Sequence, residues 1–206
     1  MKATFIIPIL ALLAGAVAAQ LPSIEERTEG LVKHEGYVTF WWDAGAGKLW
    51  AEFRPGEQLI YVYSLATGLG SNPVGLDRKQ LGGTRLVALR RVGPKLLLVQ
   101  PNLKFRALSD DAAERNAVTE SFAESVLFGF KIEAESGARV LVDATDFVVR
   151  DAQGIARKLK SDGGTWKLDK TRSSTWIDGC KGFPRNTELE ALLTFTGEGA
   201  GSNVRR

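Results

Sequence analysis

Segment after segment of this chain carries bulky apolar residues at every second position, and that period of two restricts the fold to one built on β-strands. From Ser125 to Glu133, Val126, Phe128, Phe130 and Ile132 share one phase. From Gly36 to Asp43, Val38, Phe40 and Trp42 alternate with Tyr37, Thr39 and Trp41, so both faces are bulky and cover on each side is expected. Lys48 to Arg54 sets Leu49, Ala51 and Phe53 against Lys48, Trp50, Glu52 and Arg54, one core face and one wetter face. Gln58 to Thr67 opposes Tyr61, Tyr63 and Leu65 to Ile60, Val62 and Ser64. Turns at Asp43 to Gly47 and at Pro55-Gly56-Glu57 predict that these three strands run as a meander. A second hairpin is expected from Thr84 to Arg91 and Lys95 to Gln100 across Val92-Gly93-Pro94, continued by Leu103 to Ala107. Arg139 to Val142 follows Ser125 to Glu133 across Ser136-Gly137, and Thr187 to Thr196, with Leu189, Ala191, Leu193 and Phe195 in phase, reads as a last strand.

Helical signals are short. Ser23 to Thr28 reads as a capped turn, and Ser109 to about Thr119 as a helix opened by Asp110, Asp111 and Glu114, with a thin stripe of Ala113, Ala117 and Val118. Asp143-Ala144-Thr145-Asp146 can cap a turn carrying Phe147 and Val148. Arg150 to Gly164 is polar and expected to be exposed, and Thr165 to Lys181 is irregular around Trp166 and Trp176. Gly68 to Gly83 is a long Gly- and Asn-containing loop, either functional or the cover of an edge. No strand-helix-strand alternation recurs, so the expected class is β-rich α+β: mainly antiparallel sheet built from hairpins, with about nine or ten strands and two or three short helices.

Met1-Lys2, the apolar run from Phe5 to Val17 and the small residues Ala16 to Ala19 read as a secretory signal peptide over 1–19. The uncharged stretch is too short to span a bilayer, so no stable membrane span is expected after cleavage. Residues 20–35 read as a polar lead-in, 36–197 as the β-rich domain and 198–206 as a linker-like, truncated end. Export implies a periplasmic or extracellular site, where a single cysteine forms no internal disulfide, and Cys180 is read as a buried small hydrophobe. With 44% hydrophobic and 25% charged residues, neither disorder nor a polytopic membrane protein fits. Lys plus Arg number 27 against 24 Asp plus Glu, too small an excess for a nucleic-acid partner.

Ligand poverty narrows the chemistry. The sequence has one histidine, whereas a catalytic zinc site draws most of its ligands from histidine. His34-Glu35-Gly36-Tyr37-Val38 opens like a metalloprotease helix but has Val38 where the second imidazole belongs, so His34 is read as an ordinary strand residue. A serine nucleophile at Ser64, Ser71, Ser109 or Ser121 would have only His34 as base and lacks a Gly-x-Ser-x-Gly elbow; Cys180 would have the same base. Gly68 to Gly75 is broken by Pro73 as a phosphate cradle. Asp43, Glu52, Asp143 and Asp146 are carboxylates that could form a hydrolytic pair, with capping the plainer role for Asp143 and Asp146. No catalytic, cofactor-binding or metal-binding residue and no cofactor is expected in this chain. Trp41, Trp42, Trp50, Tyr61 and Tyr63 concentrate aromatic surface on the first strands, mainly for packing, with Trp41 and Trp50 the outward pair that could contact a ligand.

The ordered string Gly68-Leu69-Gly70-Ser71-Asn72, Gly75-Leu76-Asp77-Arg78, Val92-Gly93-Pro94-Lys95 and Leu97-Leu98-Val99-Gln100-Pro101-Asn102 resembles the N-terminal region of large secreted bacterial zinc-dependent metalloproteases. Val142 to Phe147 and Phe183 to Glu188 follow the same order. In that family an uncharacterised β-rich domain precedes a metzincin-like catalytic domain, whose His-Glu-x-x-His segment lies downstream of anything in this sequence. The resemblance covers about Gly36 to Arg206 and implies a non-catalytic accessory module, with the protease catalytic domain as its partner in cis. The alternative is an independent exported β-rich binding module that uses the aromatic strands and the Gly68 to Gly83 loop to hold a glycan, peptide or envelope component. A small β-barrel carrier of an apolar ligand is a third reading.

Overall fold

A computed structural model describes residues 20–70, 73–198 and 203. The expected signal peptide, Ser71, Asn72 and most of the 198–206 end lie outside the described residues. The strands β1 (Val32–His34), β2 (Phe40–Asp43), β3 (Lys48–Phe53), β4 (Gln58–Leu65), β5 (Gln80–Val92), β6 (Lys95–Gln100), β7 (Ser125–Ser136) and β8 (Arg139–Asp143) form one antiparallel sheet in the order β1-β2-β3-β8-β7-β6-β5-β4. The expected three-stranded meander is thereby corrected: β4 does not lie beside β3 but closes the far edge against β5.

That order forces the sheet to curl. Between β3 and β4 the chain has only Arg54 to Glu57, and an extended segment from Phe53 to Gln58 reaches about 18 Å. In a flat sheet the two strands would stand about 24 Å apart. Curling brings the connection onto β5, where the Gly56 amide donates to the Leu89 carbonyl at 2.7 Å and the Leu89 amide to the Glu57 carbonyl at 2.9 Å. The concave face holds the main core of Phe40, Leu49, Val87, Leu89, Leu96, Phe130 and Val142, all buried.

Bulges change which face a side chain meets. Leu127 is the extra residue between the pairs Leu98–Phe128 and Val99–Val126, so Leu127 packs on the core and Val126 is 58% exposed. Val126 is thus removed from the face expected for it. Glu133 is the extra residue next along β7, after Ile132. It passes Ala134 to a second cluster on the sheet's other face, with Trp41, Trp50 and Leu141.

Helix α1 (Ile24–Arg27) covers that second cluster. Ser23 and Glu26 form a reciprocal capping box, and Ile24 is 1% exposed among the two tryptophans. The Arg27 guanidinium lies 4.0 Å from the centre of the Trp50 ring. Glu25 fastens the turn to β7 and β8: its carboxylate accepts from Ser136 Oγ at 2.6 Å and Arg139 Nη2 at 3.0 Å. Residues of the polar lead-in therefore supply both a cover and, in β1, a strand of the main sheet.

After β6 the expected strand from Leu103 to Ala107 gives way to a turn in which Asn102 Oδ1 accepts from the amides of Lys104 and Phe105. Helix α2 (Ala112–Ser121) follows, capped by Asp111 at the Ala113 amide, with no buried residue. Helix α3 (Thr145–Val148) carries Phe147 and Val148 onto the main core. The segment expected to be polar and exposed contains α4 (Ile155–Ser161), because Asp151 accepts from the amides of Ile155 and Ala156 and Leu159 is buried. Leu159 forms a third cluster with Val74 and Leu76 of the long loop, flanked by Leu65, Ile155, Trp166 and Phe195.

The C-terminal part is made of short ladders. Strand β9 (Thr165–Leu168) pairs with β14 (Phe195–Glu198), β10 (Ser174–Thr175) with β13 (Ala191–Leu192), and β11 (Lys181–Phe183) with β12 (Asn186–Glu188). The single last strand expected from Thr187 to Thr196 is in fact three pieces with three partners. With the eight strands of the main sheet, these six short strands make fourteen among the described residues where nine or ten were expected, beside four α-helices where two or three were expected, and the class is the expected β-rich α+β with mainly antiparallel sheet.

Candidate functional site

The residues singled out for chemistry are dispersed into structural work. His34 ends β1, stacked on Phe40 at 4.6 Å, while Cys180 is buried and its sulfur contacts backbone groups: it accepts from the Glu190 amide at 3.3 Å and donates to the Trp176 carbonyl at 3.4 Å. Burial raises the thiol above its ordinary pKa, the reverse of an activated nucleophile. Of the carboxylates, Asp43 accepts from the Ala46 amide in its turn, and Glu52 pairs with Arg139 at 3.1 Å. Asp143 caps the Thr145 amide and pairs with Lys48 at 2.8 Å. Asp146 caps nothing in α3 and instead meets Lys170 at 2.7 Å. Among the described residues no three of His, Cys, Asp and Glu converge as metal ligands would.

Trp41 and Trp50, expected as the outward pair, are 6% and 1% exposed beneath α1. The reason is the lead-in segment, whose Ile24 fills the space over them. The loop expected from Gly68 to Gly83 ends earlier, because Gln80 to Gly83 belong to β5, and its described part folds back on itself. The Leu69 amide donates to the Leu76 carbonyl at 2.9 Å, and Lys158 Nζ donates to the Gly75 carbonyl at 3.1 Å. A Cβ at Gly68 would overlap the Leu76 carbonyl, which explains glycine there.

A different constellation stands on the concave side of β4 and β5. Tyr61 and Arg85 are cross-strand partners and so share a face; with Tyr63, Leu127, Arg150 and Ala152 they line a small cavity of about 100 Å³. Arg85 Nη1 donates to Gln100 Oε1 at 2.8 Å. Arg150 follows α3, and its guanidinium lies 4.4 Å from the centre of the Phe147 ring. Its Nε donates to the Phe147 carbonyl at 3.0 Å and its Nη2 to the Tyr61 hydroxyl at 2.9 Å. The Tyr63 ring lies over Gly82, where a Cβ would overlap it. The Gly83 amide and then the Arg85 guanidinium hold the Tyr63 phenol below its ordinary pKa, outweighing its burial.

Sequence reasoning found Tyr61 and Tyr63 but missed both arginines. Arg85 does leave a trace, since it occupies the inward phase of Val87 and Leu89, an unusual place for a charge. Arg150 leaves none, because its approach to β4 depends on the curl of the sheet.

Among the described residues no helix is long and apolar enough to cross a membrane. No curated protein and no solved structure matches the chain. A family model does match: residues 79–205, from the start of β5 through the C-terminal ladders and more than half of the 206 residues, fit the domain of unknown function DUF5117, and the chain belongs to that family.

Proposed function

We propose that this chain is a non-catalytic N-terminal accessory module of an exported zinc-dependent metalloprotease, packing on and positioning a protease domain that follows it. The observation that carries the proposal is an apolar row on the convex face at the β4 edge. Ile60 is 63% exposed, Val62 44% and Leu81 73%, and the pairings Ile60–Leu86, Val62–Thr84 and Ser64–Leu81 put them on one face. The extra residue supplied by Gly82 and Gly83 turns Leu81 to that side. A row of this kind on an edge strand invites either a covering domain or a pairing strand. The order of motifs supports a protease domain as the occupant, and the structural employment of His34, Cys180 and the four carboxylates supports an accessory role. The purified chain is expected to cleave no casein whether or not zinc is added. Chelator-sensitive cleavage by that chain would overturn the proposal.

A further inference from the structure

The Tyr61–Tyr63–Arg85–Arg150 cavity carries an inference independent of any protease partner, because its hydrogen-bond inventory is lopsided. Among the described residues neither Arg85 nor Arg150 takes part in an ion pair. A guanidinium has five N–H donors and no acceptor. Arg85 donates to Gln100, and Arg150 to the Phe147 carbonyl and the Tyr61 hydroxyl, so each retains donors. The Tyr61 oxygen already accepts from Arg150, which leaves its own proton to donate elsewhere. Tyr63 is in the same position, its oxygen drawn to the Gly83 amide and to Arg85. The remaining lining, Leu127 and Ala152, is apolar in its side chains.

Two positive charges and two phenols thus surround a space with donors to spare and no carboxylate. A complementary occupant offers acceptors only, carries negative charge and is small, since about 100 Å³ is the share of a few water molecules. Planar guanidinium forks match two oxygens on one atom, the arrangement in carboxylate and phosphate groups. The stacking of Arg150 on Phe147 fixes one fork in advance, which reduces the ordering cost of binding.

We infer that this cavity is an oxyanion-binding site that takes one carboxylate or phosphate group between Arg85 and Arg150, with the Tyr61 and Tyr63 hydroxyls as further donors. The test is an NMR titration of the arginine Nε–H signals of the purified chain with sodium acetate, with inorganic phosphate and with sodium chloride at matched ionic strength. Saturable shifts at Arg85 and Arg150 with acetate or phosphate, absent with chloride, are expected, and the anion that saturates lower identifies the source of the group. Arg85→Gln should weaken binding about tenfold or more. Arg150→Lys, which keeps a charge over Phe147 but loses the fork, should weaken it as well. Arg54→Gln, an exposed control beside Glu57, should leave it unchanged. Both binding variants are checked for an unchanged unfolding midpoint, so that lost binding is not lost folding. Shifts that follow ionic strength alike in all three salts, or saturable binding that survives Arg85→Gln, would overturn the inference.

Discussion

Asp143 ends β8 with both carboxylate oxygens engaged: Oδ1 accepts from the Thr145 amide at 3.0 Å, and Oδ2 meets Lys48 Nζ at 2.8 Å. Burial alone would raise its pKa, but the Lys48 ammonium and the Thr145 contacts outweigh it, and the carboxyl ends below its ordinary 3.8. A depressed carboxyl stabilises the fold fully above the unfolded value, and that contribution is lost as pH falls through the lower folded value. Asp143→Asn should therefore cost about 1–2 kcal/mol in urea unfolding near neutral pH, with the gap to the parent chain closing as pH drops below the unfolded value. A gap of the same size at both pH values would contradict this. The cap at Asp143 was legible from its position ahead of Thr145 and Phe147. The ionic role of Asp146 was not, because Lys170 reaches it from a distant turn. The same limit applies to Arg150, whose partner Tyr61 is supplied by tertiary structure alone.

At the scale of elements, strand period was legible and strand neighbourhood was not. Alternation located β3, β6 and β8 closely, since each runs without a bulge through its core-facing residues. It failed at β7, where Leu127 and Glu133 each shift the phase by one residue, and bulges have no signature in hydrophobic period. The capping box of α1 was visible in Ser23 and Glu26, but what the turn covers was not. That cover bears directly on the two buried tryptophans. Ile24→Ala should lower stability by about 2–5 kcal/mol, as expected for a fully buried Ile, and should shift tryptophan emission to the red as water reaches Trp41 and Trp50. A loss within about 0.5 kcal/mol, the range of a surface change, together with unchanged emission would show that α1 is not an integral cover.

For the whole molecule, the turn from Arg54 to Glu57 decides the architecture, because a connection that short between β3 and the far edge strand is compatible only with a curled sheet. Curling gathers the concave face into one core and brings Tyr61, Arg85 and Arg150 to one cavity. It also leaves Ile60, Val62 and Leu81 on the convex side, where the proposed protease domain would pack. The central claim of that docking is tested most directly by amide hydrogen exchange, compared between this chain alone and a longer protein carrying the protease domain that the proposal places after it. Slower exchange across β4 and the start of β5 in the longer protein, with β2 and β3 unchanged, is the predicted result. Equal exchange of β4 and β5 in both proteins would contradict it.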